Sequence, residues 1–399
     1  MADSTASVTV SPRGAARLRA GHLWVYRSDL AGDRQTPRGA LVQVHDERGR
    51  KLGSALSSSS SQIAIRMLSR DEISEASLGD LVRQRIVAAI GFRRQRVRDS
   101  DAWRVIFSES DLLPGLIVDK YNDVLAMQVL TQAFDRDDLR QTVLDCLAEN
   151  FPGASLVERV DPHIRDLEQL PPRQSQMMRG ERATTVFTLN GVRFHFDSLA
   201  GQKTGAFLDQ RENYAAAARY AHGQALDCFT YHGGFALHLA RACEGVTGVD
   251  SSRPALEVAE RNEQLNPEQH RAGMIDWMEA NAFDLLKDYA TARREYDTIV
   301  LDPPAFAKTK RAVPTALAGY KELNLRALKM LRPGGVLVTC SCSFHVSEAE
   351  FIEMLGSAAA DAGRRLRILE KRGAAIDHPM LVNMPETAYL KCIIGQVLG

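Results

Sequence analysis

Leu226-Asp227-Cys228-Phe229-Thr230-Tyr231-His232-Gly233-Gly234-Phe235 is a short apolar run that breaks at a glycine pair and resumes as the start of a helix. A strand, a turn and a helix in that order are the opening of a βαβ unit. Glycines at the turn let the backbone come close to a ligand. Val246-Thr247-Gly248-Val249-Asp250 is a second apolar run with an acid at its end, and Asp250 lies 23 positions after Asp227. That separation is close to the roughly 20 residues at which an acid meets a ribose hydroxyl in dinucleotide folds. Working outward, helical periodicity covers 210–220, 234–242 and 254–266, and short apolar runs cover 225–229 and 246–249. Pro254 sits just inside the last of these helices, with Ser251 and Ser252 as caps. The alternation predicts an α/β fold with a doubly wound parallel sheet.

One glycine pair stands where G-x-G-x-x-G would hold a pyrophosphate, so a phosphate-free adenosine ligand fits better. S-adenosylmethionine is the obvious one. Asp227, Phe229, Gly233, Asp250 and Ser251 are the candidates to hold it, with Asn281 and Ala282 after the next strand slot and Asp302 at the end of a further strand. Asn281 could bond an adenine edge through its amide, or simply cap the helix that follows.

Two further strand ends carry the chemistry. Residues 299–306 read I-V-L-D-P-P-A-F and 339–343 read T-C-S-C-S. Neither Pro303 nor Pro304 can donate a ladder hydrogen bond, so the chain leaves the sheet at Asp302 as a stiff lip. Pro303, Pro304 and Phe306 are placed to grip a flat, polar base, and Asp302 stands at the root of the lip. The second run brings Cys340 and Cys342 to a strand end, on one face if extended. Ligands of open α/β sheets sit outside the carboxyl ends of the strands. A thiol and an Asp-Pro-Pro lip at one edge suggest covalent chemistry on a nucleobase.

The 399 residues are too many for one ordinary domain. Apolar content of 45% and charged content of 25% are those of a globular protein, and no apolar run is long enough to span a membrane. The polar start lacks the apolar core of a secretory signal. Six cysteines form neither a C-x-x-C pair nor a disulfide framework, so they read as reduced thiols of a cytoplasmic protein, with no metal site. Net charge is zero, but residues 1–70 hold 11 Arg and Lys against 5 Asp and Glu. A basic front on a separate body is the pattern of a nucleic-acid grip. Short alternating runs predict a β-rich module to about residue 70. A helix over 72–97, strands near 105–107, 116–118 and 124–130, and a helix over 139–150 make a middle α/β part. An Asn190-Gly191 hairpin closes it. The predicted division is 1–72, 73–190 and 191–399.

Together these motifs resemble the bacterial 23S ribosomal RNA cytosine-C5 methyltransferases, which join an N-terminal PUA domain, a middle α/β domain and a class I methyltransferase domain. The resemblance is carried by G-H-L-W-V-Y at 21–26, G-Q-K-T-G-A-F-L-D-Q-R-E-N at 201–213, D-C-F-T-Y-H-G-G-F, L-D-P-P-A-F, S-C-S, and D-H-P with P-E-T-A-Y-L-K within 377–391. It implies S-adenosylmethionine as methyl donor, a cytosine of 23S rRNA or its large-subunit precursor as acceptor, and Gln210 and Arg211 near the donor. It also implies Cys342 as the nucleophile that adds to C6, since Cys342 matches the S-C-S motif. Asp302 then balances charge near N3. Two positions depart from the pattern: His232 replaces a Thr in the glycine turn. Ala305 stands where related RNA cytosine methyltransferases carry a second Cys, so no thiol there can act in release. A homodimer is compatible with the sequence. Two other classes remain open: methylation of an exocyclic amine or a guanine without a thiol, and a non-enzymatic RNA-binding assembly factor.

Overall fold

The structure, a computed structural model, describes residues 6–32, 35–199, 206–268 and 274–399. The G-Q-K-T-G of the 201–213 motif lies outside the described residues. The chain forms two compact units. The first comprises Met1–Thr185, Phe196–Gly205 and Asp377–Thr387; the second comprises Val186–His195, Ala206–Ile376 and Ala388–Gly399.

The first unit holds two five-stranded sheets. One runs in the order Ala6–Val10, Leu41–Asp46, Lys51–Ser57, Ile63–Ser69 and Trp24–Tyr26. Helix Pro12–Arg19 crosses beside it, capped by the Ser11 hydroxyl with proline in its first turn. The other sheet runs Gln176–Arg179, Ser155–Glu158, Val124–Val129, Leu116–Tyr121 and Ala102–Phe107, under helices Glu75–Arg96 and Asp137–Asn150. Leu41, Leu56 and Leu68 of the first sheet join Leu78, Val82 and Ile86 of the long helix in one apolar cluster. Packing is therefore continuous across residue 72. The basic front is also less basic than its composition: Arg13 and Arg17 pair with buried Asp29, Arg19 and Arg50 with Asp46, and Arg66 with Glu168.

The second unit is built on a seven-stranded sheet. Its strands are β1 (Gln224–Cys228), β2 (Gly245–Asp250), β3 (Ile275–Glu279), β4 (Tyr296–Leu301), β5 (Leu331–Ser341), β6 (Arg365–Arg372) and β7 (Lys391–Leu398). The spatial order is β3-β2-β1-β4-β5-β7-β6. Neighbours from β3 to β5 are parallel, while β7 runs antiparallel to both β5 and β6. The doubly wound, mainly parallel sheet thus carries one antiparallel strand toward its edge. The last connection, which contributes residues 377–387 to the first unit, returns the chain from the opposite end. Among the described residues, six helices flank the sheet: α1 (Arg211–Tyr220), α2 (Gly234–Leu239), α3 (Arg253–Gln264), α4 (Ala282–Thr291), α5 (Val313–Met330) and α6 (Glu348–Asp361). Strands β1 and β4 are buried along nearly their whole length because helices cover both of their faces. The Thr184–Leu189 and Val192–Asp197 hairpin turns on Asn190 and Gly191, both at positive φ (51° and 82°).

Candidate active site

The order of β1 and β4 side by side brings the glycine turn and the Asp-Pro-Pro lip to one edge of the sheet. The turn after β1 is held in an unusual backbone. Phe229, Tyr231 and Gly233 all have positive φ, at 65°, 52° and 81°. Two non-glycine residues in the left-handed region mark strain that the surroundings must hold. The glycines answer to packing: a Cβ at Gly233 would come within 2.7 Å of Trp277, and one at Gly234 within 2.6 Å of Tyr214. Asp227, fully buried, accepts from the Thr230 hydroxyl at 2.6 Å and the Ala236 amide at 2.9 Å, so it braces the turn from beneath. Asp250 accepts from the backbone amides of Tyr231 and Ser252, each at 2.9 Å. It ties the ends of β1 and β2 together and remains half-exposed. Ser251 is exposed beside it. His232 stacks on Tyr231 with ring centroids 3.6 Å apart. Asn281 accepts from the Phe283 amide at 2.9 Å as the cap of α4, and Ala282 is buried in the first turn of that helix. Asn281 is otherwise exposed.

Gln210 and Arg211, expected near the donor, are both buried. Gln210 donates from Nε2 to Asp302 Oδ1 at 3.0 Å. Its Oε1 accepts from Asn213 at 2.6 Å, and Asn213 in turn accepts from Arg372 at 2.8 Å. This relay fixes which way the Gln210 amide faces and so orients Asp302. Arg211 pairs with Glu212 at 3.2 Å.

At the lip, Pro303 is buried and Pro304 exposed. Phe306 turns inward onto Tyr320 and Phe283, at centroid distances of 4.7 and 5.9 Å, so much of its ring serves the helix layer. Ser343 Oγ accepts from the Ala307 amide at 3.0 Å and contacts Tyr320 Oη at 2.9 Å, while Ser341 Oγ donates to Tyr320 at 3.0 Å. The lip after β4 and the S-C-S end of β5 are thereby stitched together. Cys342 Sγ lies 3.9 Å from the Pro303 carbonyl. Of the six thiols Cys342 is partly exposed and the other five are buried; Cys340, two residues earlier, is fully buried opposite Cys392. A shared strand face therefore does not give equal access.

Electrostatics sharpen this arrangement. Burial, then the nearby carboxyls of Asp209 and Asp227, push Asp302 up to about 8. Burial pushes Asp227 up to about 7. Burial, Asp302 and Asp209 push the Cys342 thiol up to about 11. Carboxyls crowded at one crevice favour a cationic guest, and Asp227 Oδ1 is buried with no hydrogen-bond partner among the described residues. The site thus fits S-adenosylmethionine, whose sulfonium and ammonium are both cations. A narrow cavity at this place is lined by Phe207, Tyr214, Phe229, Tyr231, His232 and Asp302. Sequence reading passed over Tyr320, for which nothing local gives a signal, and Asp209, which stood in the quoted L-D-Q-R run. Among the described residues no cluster could hold a metal ion.

A doubly wound sheet with an acid-ended β2, a strained turn after β1 and an Asp-Pro-Pro lip after β4 defines a class I S-adenosylmethionine-dependent methyltransferase. Residues 163–386 match the family described as S-adenosylmethionine-dependent methyltransferase, and residues 8–70 match a PUA-like domain. The protein named "Ribosomal RNA large subunit methyltransferase I" from Pseudoalteromonas translucida is 36% identical over 386 residues, covering 95% of this chain and 96% of its own. The protein of the same name from Vibrio cholerae (serotype O1) is 35% identical over 388 residues, covering 96% of each chain. The chain belongs to the S-adenosylmethionine-dependent methyltransferase family that includes these relatives. A solved methyltransferase structure bound to S-adenosylhomocysteine shares the fold with a TM-score of 0.84 at 18% identity, over 98% of this chain and all of that one. The expected fold and donor are borne out.

Proposed function

We propose that this enzyme methylates C5 of a cytosine in 23S ribosomal RNA through a covalent bond between Cys342 and C6. The names of its relatives support the ribosomal substrate. The observation that carries the chemistry is that the one thiol that is not buried sits against the Asp-Pro-Pro lip. Cytosine C5 alone is too weak a nucleophile. Addition of the Cys342 thiolate to C6 turns the C5–C6 unit into an enamine, and Asp302 protonates N3 as the charge builds. S-adenosylmethionine, when bound, supplies an electrophilic methyl group. C5 takes it and S-adenosylhomocysteine is left; a base removes the C5 proton, the C–S bond breaks to release the thiolate, and N3 returns its proton to Asp302. Asp302 suits its part because it retains a proton near neutral pH. Gln210 positions Asp302, and Asp250 and Asn281 are assigned to the donor's ribose and adenine. Pro303, Pro304 and the exposed edge of Phe306 bound the base. In this reading residues 1–72 grip RNA, 73–190 form the middle part and 191–399 carry the catalyst.

The test uses RNA containing 5-fluorocytosine, which cannot lose a proton from C5, so the adduct persists on a denaturing gel. Wild type and Cys340→Ala are expected to give the trapped band and Cys342→Ala none. A band lost only in Cys340→Ala would move the role to that thiol. Methylation that survives Cys342→Ser without any band would assign the reaction to an exocyclic amine.

A further inference from the structure

Lys391 opens β7, and no step above uses it. It is 6% exposed, rare for a lysine without a paired charge. Its Nζ donates to the Ser343 carbonyl at 2.6 Å and the Tyr389 carbonyl at 2.8 Å. The β5–β7 register sets Lys391 opposite Ser341, the residue before Cys342. The side chain therefore reaches along the S-C-S end and binds the carbonyl of the residue after Cys342. Both partners are neutral. Burying an ammonium against neutral carbonyls costs solvation energy that a nearby anion would offset. The charges that bear on Lys391 are Cys342 and Glu350 on α6. Those that bear on Cys342 are Asp302 after β4, Asp209 before α1, and Lys391. Two of these three are acids whose ionised forms oppose ionisation of the thiol, and Lys391 is the one cation.

We infer that Lys391 is the counter-ion of the Cys342 thiolate, a positioning residue that holds the S-C-S carbonyl and supplies the positive charge against which the thiol ionises. The inference rests on the nucleophile reading above, and gives Cys342 the cation that a reactive thiol needs. Burial draws Lys391 down only to about 8, so it remains mostly an ammonium at neutral pH. Its charge favours the thiolate, and the thiolate favours its charge.

The experiment measures maleimide addition to Cys342 in the full-length enzyme at pH 7, by intact mass, without RNA or donor. The other five thiols are buried, and Cys342→Ser gives the blank. Lys391→Met is expected to slow the addition about tenfold, the effect of one unit in the thiol's pKa. Lys391→Gln, which can still donate to the carbonyls, should slow it as much. Lys391→Arg should hold it near the wild-type rate. Melting curves and donor binding identify any variant that fails to fold. A folded Gln or Met variant with the wild-type rate overturns the inference. Because the readout involves neither RNA nor methyl transfer, slowed addition with no fluorocytosine adduct in wild type would keep Lys391 as counter-ion and remove the nucleophile role. An adduct with unchanged addition would do the reverse.

Discussion

Asp302 must hold a proton for the proposed reaction while Cys342 must lose one, yet the two groups sit near 8 and 11 in the free enzyme. The productive pair is the minor arrangement, about a thousandth of the total where the opposite one dominates. Below about pH 8 the thiolate fraction grows tenfold per unit while Asp302 stays protonated, so kcat/KM should climb with a slope near one between pH 6 and 8. Above that range Lys391 loses its own proton and the curve should turn down, whereas Lys391→Arg should level off. A flat profile from pH 6 to 8 would show that no thiolate is needed. The residues behind this balance were partly legible in the sequence. Asp302 announced itself by the two prolines that follow it. The choice between Cys340 and Cys342 was made by resemblance, because two residues on one strand face look alike until their depth is known.

At the level of elements, the site depends on strand ends being held together. Tyr320 of α5 joins Ser341 and Ser343 of the β5 end, and Ser343 holds the lip through Ala307. Tyr320→Phe removes this bridge inside a buried region. It should cost about 1–2 kcal/mol in stability by chemical denaturation, the usual cost of buried hydroxyl partners left unmet. It should lower kcat about tenfold while donor affinity stays unchanged, since Asp250 and Asn281, proposed to hold the donor, lie at the ends of other strands. Equal losses in donor binding and kcat would mean that the bridge supports the whole sheet edge. The strands that bear these ends were readable because each of β1, β2, β4 and the second half of β5 holds a short apolar run, with a glycine turn after β1, Asp250 ending β2 and Asp302-Pro303-Pro304 after β4. Helix Pro12–Arg19 was missed although Ser11 and Pro12 form a proper start signal. Its eight residues are too few to establish a period.

For the whole molecule, the basic front was expected to grip RNA, and ion pairs within the first unit already neutralise many of its arginines. Arg38, Arg48 and Arg70 are exposed and form no ion pair among the described residues. If phosphates bind there, Arg38→Ala, Arg48→Ala and Arg70→Ala combined should reduce the slope of log affinity against log salt by about 2, near 0.7 per contact for single strands. An unchanged slope would leave these cations as solvated surface. Substitution is a cleaner test than deleting residues 1–72, because Leu41, Leu56 and Leu68 share a core with the long helix after them. By itself the sequence determined the α/β alternation, the donor turn, the lip and the thiol-bearing strand end, since periodicity, proline and glycine act over a few neighbouring residues. It also determined the family, through motifs spread along the chain. Only the tertiary structure decided that β7 runs antiparallel, that Gln210 serves Asp302, that Cys342 is the one thiol not buried, and that Lys391 lies beside it. Each of these depends on burial and on charges brought together from distant parts of the chain. Desolvation and Coulomb interactions follow distance in space, which local sequence patterns do not encode.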